Sequence, residues 1–135
     1  KLNNLMKKND SGIGTLGAKI MNNNEMSDEN IVKVKTKENL TEKNFLKSED
    51  FFRIGNSDDN SNIYHHVGIY IFKPNFLKKY INFSRTKNEI ERNLEQMRIL
   101  DNNIDINVGL SSSVPLSVDT EKELEKVRHL MSLKK

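Results

Sequence analysis

The sequence predicts an α/β domain. Stretches with a two-residue apolar period recur along the chain, stretches of helical period lie between them, and two of the latter open on the pattern Thr-x-x-Glu. Lys1 to Asp10 is a short polar segment with Leu2, Leu5 and Met6 at helical spacing, as in the tail of a helix. Leu16, Ala18 and Ile20 alternate with Gly17 and Lys19, and Val32 and Val34 alternate with Lys33 and Lys35. Both read as half-buried strands, separated by a polar turn from Asn22 to Asn30. Lys37 to Arg53 is ambiguous, with a strand-like Asn44-Phe45-Leu46 and the pair Phe51-Phe52 behind a charged patch. Gly55 to Asn62 has no apolar residue and reads as a surface loop. Val67 to Phe72 is an apolar run broken only by Gly68, which fits a strand buried on both faces.

Pro74 then favours a turn, and Phe76, Leu77 and Tyr80 follow at helical spacing. Thr86 and Glu89 form a capping box that starts a helix near Lys87, with Ile90, Leu94, Met97 and Leu100 as its apolar stripe. Ile104, Ile106 and Val108 alternate as a further strand. Thr120 and Glu123 make the second box, opening a helix whose buried side holds Leu124, Val127 and Met131.

Composition removes several function classes. The 135 residues suffice for one modest domain, and the net charge of +3 comes from Lys and Glu interspersed through most segments, which does not imply a nucleic-acid partner. With no cysteine there is no disulfide framework, thiolate zinc site or cysteine nucleophile, and three histidines make a poor structural zinc set. No stretch approaches the roughly 18 apolar residues of a membrane span, and the first residues do not form a signal peptide. The expectation is a soluble cytoplasmic protein with no membrane span.

A few residues are placed where chemistry is possible. Asp119 stands between an apolar segment and the Thr120 cap, a position suited to a hard-cation ligand, although spacing alone favours simple support of the helix dipole and turn. His66 precedes the apolar run, where its ring can reach a sheet end, or can be an ordinary core or surface histidine. Tyr70 shares the strand face of His66 by the two-residue alternation. Glu95 and Gln96 lie off the apolar stripe, as a solvated helix face would also place them, and Arg98 reads as a surface ion pair.

Three motifs in order, Tyr64-His65-His66-Val67-Gly68-Ile69-Tyr70, Leu94-Glu95-Gln96-Met97-Arg98 and Pro115-Leu116-Ser117-Val118-Asp119-Thr120, closely resemble the C-terminal portion of the 3-deoxy-manno-octulosonate (Kdo) cytidylyltransferase family. Gly14 to Ile20 and Asn30 to Val34 are similar to two upstream segments of that family. The resemblance implies a partial nucleotide-diphospho-sugar transferase fold, Rossmann-like with a mixed sheet, of which residues 1–135 are the sugar-binding and dimerisation half. It implies that the intact protein transfers CMP from CTP to Kdo with Mg2+, as a homodimer. It further implies that Asp119 is a catalytic metal ligand and that His66, Tyr70, Glu95 and Gln96 bind the sugar acid, with His65 structural.

Two departures bear on this reading. The family's arginine facing the substrate carboxylate is replaced in register by Lys47, within Asn44-Phe45-Leu46-Lys47, so Lys47 or Arg53 is expected to supply that charge. The family's N-terminal nucleotide loop and its other metal motif have no counterpart, so the chain alone is expected to be inactive and to expose an unpaired sheet edge. A cytidylyltransferase for another acidic sugar, 8-amino-Kdo or a sialic acid, and a noncatalytic sugar-binding or dimerisation module remain as alternatives.

Overall fold

A computed structural model describes residues 1–22, 24–54, 61–114, 118 and 120–133. In chain order the elements are α1 (Leu2–Lys8), β1 (Ile13–Lys19), α2 (Asn24–Ser27), β2 (Lys33–Thr36), β3 (Leu46–Phe52), β4 (Ile63–Phe72), α3 (Pro74–Ile81), α4 (Lys87–Arg92), α5 (Met97–Asp101), β5 (Asn107–Ser111) and α6 (Glu121–Ser132). The strands form one mixed sheet in the order β1-β4-β2-β3-β5, and the parallel pairing of β5 with β1 closes it. The other pairings are antiparallel. The expected bare edge is therefore absent among the described residues: β5 pairs with β1 along five positions and with β3 at Leu46 and Lys47. Closure of the sheet on itself satisfies the backbone that an open sheet would leave unpaired.

The main core gathers Ile13, Val34, Phe51, Ile99, Ile106 and Val108, all buried. A second, smaller cluster forms where α1 lays Leu2, Leu5 and Met6 beside Phe45. Gly14 and Gly109 permit that contact, since a Cβ would lie 2.4 Å from the Met6 sulfur at Gly14 and 2.5 Å from Leu5 Cδ1 at Gly109.

Several sequence expectations change in three dimensions. The polar turn from Asn22 to Asn30 contains the one-turn helix α2. Pro74 is the first helical residue of α3, where its missing N–H is not needed. The apolar run in β4 is not buried on both faces, because Gly68 and Ile69 are exposed. The last strand begins at Asn107, with Ile106 buried just ahead of it. Lys33, which alternation places toward solvent, is fully buried, and its ammonium donates to the carbonyls of Asp28 at 2.6 Å, Ile31 at 2.8 Å and Arg53. Those carbonyls satisfy an ammonium's three protons, while burial pushes the amine below its ordinary pKa. The Thr120 box caps α6 as read, yet Leu124 and Val127 are only half-buried and Met131 is 68 % exposed. Of the loop from Gly55 to Asn62 only Ser61 and Asn62 are described, as a turn.

The expected single helix through Leu100 is two helices. Asn93 adopts the left-handed conformation, φ 53° and ψ 48°, and ends α4; asparagine tolerates this better than most residues. Leu94 and Met97 remain buried through the resulting elbow, and Ile99 joins them, while Ile90 is 58 % exposed. The elbow presents Glu95 and Gln96 on its outer side, and α5 begins directly after them.

Candidate functional site

A cavity of about 520 Å³ lies between β4 and this elbow. The strand contributes His66, Gly68, Tyr70 and Phe72, and the elbow contributes Asn93, Leu94, Glu95 and Gln96. Val32, Tyr80 and Ile99 complete its walls. Four of the residues expected from sequence, His66, Tyr70, Glu95 and Gln96, thus share one cavity. Lys47 does not line it: it sits on β3, its side chain is 69 % exposed, and its ammonium pairs with Asp105 at 2.5 Å. Antiparallel pairing with Asn107 fixes it in that place. Arg53 bridges the rim, donating to the carbonyls of Glu29 at 3.1 Å and Asn93 at 3.4 Å. Asp119, with residues 115–117 of its motif, lies outside the described residues.

The orientation of His66 depends on Thr15, a residue that sequence reading passed over. Between the pairs Gly14–Ile71 and Leu16–Val67 the register shifts, so Thr15 alone faces the β4 segment from Gly68 to Tyr70. Such a bulge re-aims side chains near a site. The buried Thr15 hydroxyl lies 2.9 Å from the Ile69 carbonyl, 3.2 Å from the Val67 carbonyl and 3.0 Å from His66 Nε2. A hydroxyl has one proton, and the carbonyls can only accept it. His66 Nε2 therefore carries a proton and donates to Thr15, which leaves Nδ1 as an acceptor. Burial, reinforced by His65, lowers the His66 pKa to about 4, so the ring is neutral at pH 7. Edge contact with Phe51 at 5.1 Å and packing on Tyr70 at 5.4 Å hold the ring further. A threonine inside the apolar β1 run was the available signal. Thr15→Val should move the assigned His66 ring nitrogens away from the Nε2–H tautomer in 15N spectra; an unchanged tautomer would contradict this hydrogen-bond assignment.

The Tyr70 hydroxyl is buried and has no hydrogen-bond partner among the described residues. Burial first, then the neighbouring Tyr80 and Glu95, hold its pKa above the ordinary tyrosine value. It remains a protonated donor, and an unpartnered buried hydroxyl is unfavourable until an acceptor reaches it. Tyr80 is set by Arg98, whose guanidinium lies 4.8 Å over its ring. Arg98 is not the surface ion pair expected from sequence: it clasps the fully buried Glu89 through Nε at 2.8 Å and Nη2 at 2.5 Å. Glu89 also accepts from the Thr86 amide, so one carboxylate caps α4 and fixes α5 beside the cavity. His65 does not line this cavity; it pairs with Glu25 at 3.2 Å.

A second cavity of about 630 Å³ adjoins the first and shares Val32, His66 and Gly68 with it. Its far side carries Thr120, Glu123 and Lys126 of the α6 region. Among the described residues no group of three or more acidic or histidine side chains is placed to hold a metal ion.

Residues 1–106 match the family model described as cytidylyltransferase. The 3-deoxy-manno-octulosonate cytidylyltransferase of Bartonella tribocorum is 35% identical over 120 residues, which cover 89% of this chain and 49% of that protein. The enzyme of the same name from Bartonella bacilliformis is 36% identical over 128 residues, covering 95% of this chain and 52% of its own. The chain thus spans about half the length of these curated relatives. A solved structure of CMP:2-keto-3-deoxy-manno-octonic acid synthetase complexed with CTP aligns with 99% of this chain and 55% of that one, with TM-score 0.85 and 26% identity. The mixed-sheet fold implied by the three motifs is the fold of that enzyme. With the family model reaching through α5 and the fold extending to its end, the chain belongs to the cytidylyltransferase family.

Proposed function

We propose that this chain forms the sugar-acid side of an enzyme that transfers CMP from CTP to Kdo and releases pyrophosphate. The observation that carries the reading is the convergence of His66, Tyr70, Glu95 and Gln96 on one cavity from β4 and the elbow. Its volume lies within the roughly 300–1,000 Å³ of small-ligand pockets, and it combines apolar walls with a few directed polar groups. His66 Nδ1 and the Glu95 carboxylate accept from sugar hydroxyls, the Tyr70 hydroxyl donates, and the Gln96 amide does both. Rings of Phe72 and Tyr80 supply apolar wall beside them. The chain's residues thereby orient a polyhydroxy acid so that its anomeric hydroxyl meets the α-phosphate, a contribution of positioning.

Magnesium, in this reading, neutralises the triphosphate, with Asp119 as one of its carboxylate ligands. The resemblance implies a second carboxylate from a metal motif that has no counterpart in this chain. In this reading the enzyme acts as a cytoplasmic homodimer.

The test is turnover with the chain extended by its upstream coding sequence. CTP, Kdo and Mg2+ should yield CMP-Kdo and pyrophosphate, faster than with 8-amino-Kdo. Preference for 8-amino-Kdo would reassign the sugar, and inactivity with both would overturn the reading.

A further inference from the structure

Gly68 stands in the interior of β4 between His66 and Tyr70, where a glycine weakens a strand relative to almost any other residue. No local reason for glycine operates there. Its φ is not positive, so the bulge opposite Thr15 does not require it. A Cβ built on Gly68 meets no atom within 4 Å, whereas at Gly12, Gly14, Gly17 and Gly109 it would approach another side chain to between 2.4 and 3.0 Å. Those four glycines are explained by packing within the chain; Gly68 is not. The remaining physical reason for glycine in a strand is close approach of a group that the chain itself does not supply.

The position identifies that group. Gly68 lines both cavities and is flanked by the buried His66, so it is the floor where they join. The first cavity offers Tyr70, Glu95 and Gln96 for hydroxyls and no lysine or arginine, so it suits the neutral, hydroxylated part of a sugar acid. The second is polar, with Lys126 beside the carboxylates of Asp28 and Glu123 and the side chain of Asn30. We infer that Gly68 is the crossing point of the bound sugar acid, whose hydroxylated tail lies in the first cavity while the rest of the molecule passes over the Gly68 Cα toward the second. Any side chain at this position occupies the path. Gly68 is thus a determinant of which sugar acids are accepted, an inference that rests on the sugar-acid reading of the site.

The experiment compares Gly68→Ala and Gly68→Val with the parent chain, measuring Kdo affinity by titration and stability by thermal melting. Both variants should melt at or above the parent temperature, since a β carbon there has free space and valine favours strands. Kdo binding should weaken progressively, with Val losing at least about tenfold, as expected when a snug site is overfilled. A Val variant that melts like the parent and binds Kdo as tightly would overturn the role of Gly68 while leaving the sugar site in place. If Val fails to fold, the same comparison is decided by Ala. A parent chain that binds no Kdo would instead remove the sugar-acid reading, and this inference with it.

Discussion

Glu89→Ala should remove about 3–5 kcal/mol of folding free energy, the range for breaking a buried ion pair from one side. The side chain is 1 % exposed and its Arg98 partner 16 %, so solvent does not screen them as it does the surface pair Lys87–Glu91. Alanine would strand the Arg98 guanidinium, remove the acceptor for the Thr86 amide that caps α4, and free Arg98 from its place above Tyr80. For a small domain with about 5–15 kcal/mol in total, that is a large share. Urea unfolding monitored by circular dichroism measures it, and a loss below about 1 kcal/mol would mean that the pair behaves like an exposed one.

The same pair fixes an acid limit. Hydrogen bonds from Arg98, opposed by burial and aided by Thr86 and Arg85, hold Glu89 at about 2 against an ordinary 4.5. The unfolded chain therefore binds the extra proton first as pH falls, so this stabilisation is complete above about 4.5 and is lost through about 2. His66 acts in the same direction at higher pH: its folded value of about 4 lies below its ordinary 6.5, so its contribution declines as pH falls from 6.5 toward 4. Stability should fall in two successive stages below neutrality.

Asp119→Ala, in the chain extended by its upstream coding sequence, should lower CMP-Kdo formation by at least about a thousandfold, the scale of losing one electrostatic stabiliser of the reacting centre. Asp119 precedes Thr120, whose side chain and Glu123 already complete the α6 cap. The helix thus does not need the Asp119 carboxylate, and the melting temperature should stay within a few degrees. Near-normal turnover would refute the metal role; lost turnover accompanied by unfolding would show a structural one.

What could be read from sequence was whatever a few neighbouring residues decide. Each capping box needs only a threonine and a glutamate three positions on, and both boxes form as read. Alternation located β1 and β2, and the apolar run located β4. β3 was obscured because Leu46–Phe52 carries charges at Lys47, Glu49 and Asp50, and its pairing with β2 and β5 is decided far along the chain. The elbow at Asn93 escaped notice because Leu94 and Met97 face inward in either arrangement; only the left-handed backbone of one asparagine distinguishes them. Burial of Lys33 depends on carbonyls from two separate segments and leaves no local mark. In the site, the strand face shared by His66 and Tyr70 follows from the two-residue alternation, but the site role of both, like that of Glu95 and Gln96, came from motif resemblance. Thr15 and the Glu89–Arg98 clasp emerge only when β1 meets β4 and α4 meets α5.

The central claim is that the cavity between β4 and the elbow receives the sugar acid. Titrating Kdo into 15N-labelled chain while following assigned amide resonances tests it most directly. Saturable shifts centred on His66, Gly68, Tyr70, Glu95 and Gln96 are the predicted result. Saturable shifts centred instead on Lys47 and the β3–β5 seam, with these five unmoved, would contradict it.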